Sequence, residues 1–481
     1  MKKTISLLLA LSLVLALAGC GAKLPIPPKE TTEAAQTTEA PETTVPETTE
    51  ATETTAPQET EAPKEKKLPA FSHEGQIQET VLLEESGAKI TALSLGYSGS
   101  AVTLYLQLEN TGKQTLTFSC NSEKYGCNAI NGYMVGSGLL ERELAPGESA
   151  RDALTFPIAD LQLLGIHEIA DICLGFQITA GYQDAYTGPL QVKTNLADSY
   201  DYSRSSFQKT IQDPGLYGSY GLTLESFTAF EPEEGEKISL ISTAAVTNRQ
   251  GGLNLLVEVQ NNTEEPLAAI VGNLSLNNLV VSASSVAGGV INPGSRMMVP
   301  VIPREIPAPD LLKDLKLEDP SSAGLVLQSL DGQANLLDDP VSISIELSGK
   351  SKGWNREGLV VYEDPQVRIL YEGTAKEKDT ILDDMVVVYL VENLTEGPMG
   401  FSGTKQGCLI NGQKLDCSSQ PLMLAKDQGG LLLIGLPSYK LNMIGLTDPE
   451  QIESLEVPML VISETGSSRV VETVLDETTA E

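Results

Sequence analysis

The chain has 481 residues, with 65 acidic against 32 basic side chains and a formal net charge of −33. Such an acidic balance speaks against nucleic acid as a partner, because phosphate binding needs clustered Lys and Arg, and against lying flat on an anionic membrane. Aromatic residues make up only 5% of the chain, few for a sandwich that would stack sugars on exposed rings.

At the N-terminus Lys2 and Lys3 precede an apolar run from Ile5 to Ala18. That run is shorter than the about 20 apolar residues a membrane span needs, and it has the flanks of a signal-peptide core. It ends in Leu17-Ala18-Gly19-Cys20, which resembles the lipobox of bacterial lipoproteins. The resemblance implies that residues 1–19 are a lipoprotein signal peptide and that Cys20 is diacylated and becomes the first residue of the mature chain. Two acyl chains hold firmly where one is marginal, and no second hydrophobic run of spanning length follows Cys20. The expected location is therefore the extracellular face of the cytoplasmic membrane, with the chain lipid-anchored rather than spanning.

Residues 20–67 are expected to form a disordered spacer. From Lys29 to Lys67 the chain is dominated by Thr, Glu, Pro and Ala without one aromatic residue, so it cannot bury enough apolar surface to offset the entropy of ordering. Its ten glutamates and four lysines supply −6 of the −33, which leaves most of the acidity with the folded part.

The remainder repeats itself. Val102 to Leu108, Leu253 to Val259 and Met385 to Val391 are β-rich runs, each leading into an Asn-containing turn: Glu109-Asn110-Thr111-Gly112, Gln260-Asn261-Asn262-Thr263 and Glu392-Asn393-Leu394-Thr395. Asparagine tolerates left-handed backbone and hydrogen bonds its own main chain there. A second landmark follows at similar spacing, with Asn131-Gly132, Asn277-Asn278 and Asn411-Gly412 placed to take positive φ at both central positions of a type I′ hairpin. Next come Pro146-Gly147 and Pro293-Gly294, with Asp427 at the matching place. A closing pattern, Leu161 to Ile178, recurs at Leu441 to Ile462 and loosely in the second copy.

This order predicts an all-β chain of three tandem immunoglobulin-like β-sandwich domains, at 68–197, 212–349 and 357–476. Short helical turns are expected at Asp160 to Leu164, Ala308 to Leu315 and Asp448 to Ser454. In its lipobox, its spacer and its repeated Ile130-Asn131-Gly132 and Ile410-Asn411-Gly412 hairpins, the chain resembles low-GC Gram-positive lipoproteins that carry tandem immunoglobulin-like domains behind a Thr/Glu/Pro spacer. The likeness is one of architecture and brings no catalytic residues with it.

Chemistry is sparse in the sequence. His73 and His167 are the only histidines, so neither H-E-x-x-H nor a facial triad can be assembled locally. No D-x-[DN]-x-[DN]-G calcium loop is present. The acidic pairs Asp338-Asp339 and Asp383-Asp384 read as solvated loops, and Trp354, the single tryptophan, as packing at the seam between the second and third domains.

Beyond Cys20 lie Cys120, Cys127, Cys173, Cys408 and Cys417, an odd number without a C-x-x-C pair. Cys120 and Cys127 flank a loop and are the better-placed couple. If Asn411-Gly412 is a two-residue turn, Cys408 faces Leu415, and Cys417 is only its diagonal neighbour at about 7–8 Å between Cα atoms. That is too far for a disulfide, so both are expected as thiols unless a bulge intervenes. The reading that follows has no cofactor and no catalytic or metal site. It is a membrane-anchored, non-enzymatic module that serves as a stalk or presents a face to a protein or glycan ligand. The alternative is an envelope enzyme or solute-binding lipoprotein with a site assembled between domains.

Overall fold

The computed structural model describes residues 70–120, 128–181, 183–202, 206–282, 287–302, 313–376, 384–404 and 407–475. The signal peptide, Cys20, the whole spacer and Cys127 lie outside the described residues, as does most of the helical turn expected at Ala308 to Leu315.

The fold is all-β, and the three sequence copies are three structural repeats. The first has strands from Thr80 to Lys193, the second from Leu222 to Glu346 and the third from Leu359 to Leu475. Their equivalence shows in hydrogen bonds rather than in side-chain identity. Asn110, Asn261 and Asn393 each end a strand, Ala101–Asn110, Leu253–Asn261 and Met385–Asn393, and each is almost fully buried. The Nδ2 of each donates to the carbonyl four residues on: Gln114 at 2.7 Å, Glu265 at 2.8 Å and Gly397 at 2.8 Å. It also donates across the turn, to Leu144 at 2.9 Å, Ile291 at 3.0 Å and Ala425 at 2.9 Å. Each Oδ1 accepts from the backbone N–H two residues on, in Gly112, Thr263 and Thr395. A polar side chain survives burial here because every one of its groups is bonded.

The hairpin asparagines form a second equivalent set. Asn131, Asn277 and Asn411 have φ of 49°, 48° and 50°, and the residues after them, Gly132, Asn278 and Gly412, have 79°, 69° and 75°. Both central positions are thus left-handed, as a type I′ turn requires. Each Oδ1 accepts two backbone N–H groups from the segment leading into or opening a later strand: Ala170 and Asp171, Ser321 and Ser322, Glu453 and Ser454. Gly147, Gly294 and Asp427 also share positive φ, so the third landmark coincides as well.

Short helices occur at Ile158–Leu163 and Ser438–Met443, at matching places in the first and third repeats, and a 3₁₀ turn at Pro449–Gln451. Two helices the sequence reading lacked, Ser206–Ile211 and Pro214–Gly218, stand in the connection after the first repeat.

Sheet topology departs from the picture of separate sandwiches on a string. Among the described residues there are four sheets, of four, ten, ten and six strands. The four-stranded sheet belongs to the first repeat and the six-stranded one to the third. Each ten-stranded sheet joins one sheet of a repeat to one sheet of the next. Strand Tyr133–Val135 of the first hairpin pairs in parallel with Arg296–Val301 of the second repeat, and Leu279–Ser282 of the second hairpin pairs in parallel with Gly429–Leu436 of the third. The same strand meets the same strand at both joints.

Burial follows from this sharing. In Ala101–Asn110, on the unshared four-stranded sheet, Val102, Leu104, Leu106 and Leu108 are fully buried while Tyr105 points out, the period-2 pattern of a half-solvated sheet. Met385–Asn393 is buried at every position. Val386, Val388 and Leu390 face the core shared with the second repeat, whereas Val387, Tyr389 and Val391 face the interior of the third.

Candidate functional site

The described residues hold no group of three or more His, Cys, Asp or Glu side chains arranged to bind a metal ion. What the fold builds instead are two joints and one free hairpin.

At the first joint the backbone N–H of Arg296 donates to the carbonyl of Gly132 at 2.7 Å. Tyr133 is buried, with the Arg296 guanidinium 5.9 Å from its ring centroid, and its hydroxyl donates to Glu258 Oε1 at 2.8 Å. Glu258 is itself fully buried and takes a second hydroxyl, from Ser242, at 2.7 Å. Met134 turns into the core of the second repeat and accepts the N–H of Asn292 at 3.4 Å. Burying each such side chain contributes about 1.5–3 kcal/mol. Nearby, Asp171 is buried beside Gln191, which donates to it at 3.0 Å; burial pushes its carboxyl up from the ordinary range.

The second joint repeats the geometry with different chemistry. Leu279 and Val280 are fully buried opposite Gly429 and Gly430. Asn278 donates to the carbonyl of Asp427 at 3.3 Å. Trp354 covers the contact: a Cβ on Gly429 would lie 2.5 Å from its Cζ2, and Arg356 sits 4.7 Å over its ring. The tryptophan is therefore seam packing, as its place in the connection suggested. Arg356 and Arg368 also flank the buried Glu392, at 3.5 and 3.7 Å. Glu372, on the strand Val367–Lys376, is half-buried, and burial together with the charge of Asp314 pushes its carboxyl up to about 7.

The third hairpin pairs with no strand of another repeat among the described residues. Where the first two carry Tyr133-Met134 and Leu279-Val280, it carries Gln413-Lys414, both exposed, on the edge strand of the six-stranded sheet. A lysine on an open edge discourages pairing with another chain. At the other end the strand Ser149–Pro157, also an edge, begins with exposed Ser149, and Asp152 within it is bridged by Arg142 at 2.7 Å.

Residues weighed from the sequence for chemistry are dispersed. His73 stacks on Tyr97 with ring centroids 5.0 Å apart, and burial holds the His167 imidazole below its ordinary range. Asp384 accepts the Ser438 N–H at the start of a short helix. Asp338 and Asp339 lie in a connection, and Asp383 lies outside the described residues. Cys120, Cys173, Cys408 and Cys417 are all unbridged. The register is the one derived from the turn, with Cys408 opposite Leu415.

No protein-family model matches the chain, and no curated protein matches it by sequence. Among solved structures it is similar, at 11% identity and a TM-score of 0.14, to one from a 1.5-MDa bacterial ice-binding adhesin, over 78% of this chain and 89% of that one. A protein of unknown function from Porphyromonas gingivalis W83 aligns at 12% identity and a TM-score of 0.15, over 53% of this chain and 99% of that one. The BSP domain of a biofilm associated protein aligns at 9% identity and a TM-score of 0.13, over 88% of this chain and 85% of that one. Likenesses this remote assign no activity.

Proposed function

We propose that this chain is an extracellular lipoprotein, anchored through Cys20 and behaving as a non-enzymatic stalk or surface-interaction module. The anchor half rests on Leu17-Ala18-Gly19-Cys20 and on the Thr/Glu/Pro spacer behind it. The stalk half rests on one observation: each repeat is joined to the next by backbone strand pairing within a shared sheet, together with buried side chains. A tether needs only a linker, whereas a continuous sheet resists bending between repeats. The spacer supplies reach and the three repeats supply stiffness.

Limited proteolysis of the full chain followed by size exclusion tests the stiffness. The spacer is expected to be cut first and residues 70–475 to migrate as one particle. Separation into independent repeats would overturn the reading. The anchor is tested by labelled fatty acid: Cys20→Ser should abolish incorporation, and undiminished labelling would remove it.

A further inference from the structure

The first and third repeats carry the same corner, covered in one and open in the other. The helices Ile158–Leu163 and Ser438–Met443 each follow a proline, Pro157 and Pro437. Each is closed by the same backbone bonds, with Ile166 donating to Leu161 and Leu446 to Leu441, and His167 and Thr447 come next in the chain. Strand register completes the match. Tyr97 lies opposite Val102 and Lys376 opposite Met385, with a bulge at the same place in both strand pairs.

In the first repeat residues 71–76 lie across this corner. Ser72 donates its N–H to the His167 carbonyl at 2.7 Å, the Tyr97 hydroxyl donates to the Gly75 carbonyl at 2.7 Å, and Phe71 packs against the core. In the third repeat the corner is a cleft of about 120 Å³, floored by Met385 and Leu441 and rimmed by Lys376, Ser438, Asn442 and Thr447. Two causes leave it open. Ser438, Asn442 and Thr447 are smaller than Ile158, Gln162 and His167 in the same places. The segment that would cover it is also drawn away. Leu359 is the register equivalent of Thr80, so residues 350–355 answer to 71–76, but Ser351 pairs with Pro320 and Trp354 covers Gly429 at the second joint. The Thr447 carbonyl accepts no backbone N–H among the described residues. On the same helix Tyr439 is exposed and Met443 is 82% exposed, where the first repeat has Ala159 and a Leu163 packed on its core.

We propose that this cleft is a docking site for an extended segment of a partner protein, which lies in it as residues 71–76 lie across the first repeat. One apolar side chain of the partner fills the space over Met385 and Leu441. A dry cavity of about 150 Å³ holds a benzene ring, so a single ring or branched aliphatic side chain is what fits. The next backbone N–H of the partner donates to the Thr447 carbonyl. The Lys376 ammonium donates to a carbonyl three residues further on, in place of the Tyr97 hydroxyl. Lys376 can turn to it because its pair with Asp448, at 3.4 Å, is exposed on both sides, and such pairs contribute little. Met443, with its flexible thioether, adapts to the partner's flank. The proposal rests on the reading of the chain as a surface-interaction module, and gives that reading a site and a partner chemistry.

The probe is a labelled synthetic peptide copying residues 70–77, blocked at both ends, whose fluorescence anisotropy is followed as the full chain in detergent is added. Saturable binding is expected. Replacing the peptide's phenylalanine by alanine should weaken it at least about tenfold, the loss of one buried apolar side chain. Ser438→Ile installs the side chain that the first repeat carries there, and should abolish binding with Trp354 emission unchanged. Lys376→Met should weaken it severalfold. No saturable binding to the wild type, equal binding of a scrambled peptide, or undiminished binding to folded Ser438→Ile would overturn the proposal. So would binding that appears only once residues 377–383 are replaced by two glycines, because the chain would then be closing its own cleft. Loss of the docking site with Cys20 labelling and the single proteolytic particle intact would leave the anchored stalk standing, so the two failures are told apart.

Discussion

Tyr133, in the first repeat, donates its hydroxyl to the carboxylate of Glu258, in the second, at 2.8 Å and out of contact with water. Tyr133→Phe keeps the ring and its packing but removes a hydroxyl bonded to a buried carboxylate. A buried group losing its partner costs about 1–3 kcal/mol, so urea denaturation should show a loss of that size. A change within experimental error would mean that the hydrogen bond does not hold the joint.

The three strand-ending asparagines should respond alike. Asn110→Ala, Asn261→Ala or Asn393→Ala leaves at least two carbonyls and one N–H without their side-chain partner. Each is expected to lose about 2–4 kcal/mol, somewhat less than three full penalties because water reaches part of each turn. Thermal melts of the three variants test the repeat as well as the bond. One asparagine costing nothing while the others cost kilocalories would break the equivalence.

Trp354 is the single tryptophan, so its emission reports the second joint alone. Gly429→Ala places a methyl 2.5 Å from the ring's Cζ2 and must displace it. Emission should shift to the red and the joint should unfold at lower denaturant, by about 1–3 kcal/mol of overpacking. Unchanged emission would place the ring elsewhere.

Glu372 gives the protein a pH dependence of definite sign. Its carboxyl titrates near 7 in the folded chain against an ordinary value of 4.5, burial being the larger cause and Asp314 the smaller. Below 4.5 the group is neutral whether the chain is folded or not, and it costs nothing. Between 4.5 and 7 the folded state holds the proton that the unfolded state has released, so stability falls as pH rises, and above 7 the full penalty stands. Glu372→Gln should therefore match the wild type in acid and melt higher by about pH 8, the gap opening through that window. A constant gap across the range would show that the carboxylate is not strained by ionisation.

Exposed Gln413 and Lys414 occupy the places that Tyr133-Met134 and Leu279-Val280 fill at the joints. Replacing them together, Gln413→Leu with Lys414→Val, restores an apolar edge strand of the joint-forming kind. Head-to-tail contacts that do not close give open assemblies, so concentration-dependent association should appear in sedimentation. A variant that stays monomeric at high concentration would mean that more than these two side chains ends the row.

Much of this fold was legible in the chain because its signals are local. Asn131-Gly132, Asn277-Asn278 and Asn411-Gly412 fix their turns through backbone preferences that need no distant partner, and the register they set correctly placed Cys408 opposite Leu415. Trp354 could be placed at a seam because it stands in a connection. The sharing of sheets was not legible in the same way. Met385 to Val391 is apolar without alternation, which reads as a buried strand but does not say what covers each face. Nor does Glu258, a glutamate in a strand, announce that Tyr133, 125 residues earlier, will bond it. Turn chemistry acts over neighbouring residues, so the sequence by itself determined the three repeats and their hairpins. Strand pairing at an edge and burial of both faces depend on which surfaces meet, and only the tertiary structure decided that the repeats share sheets.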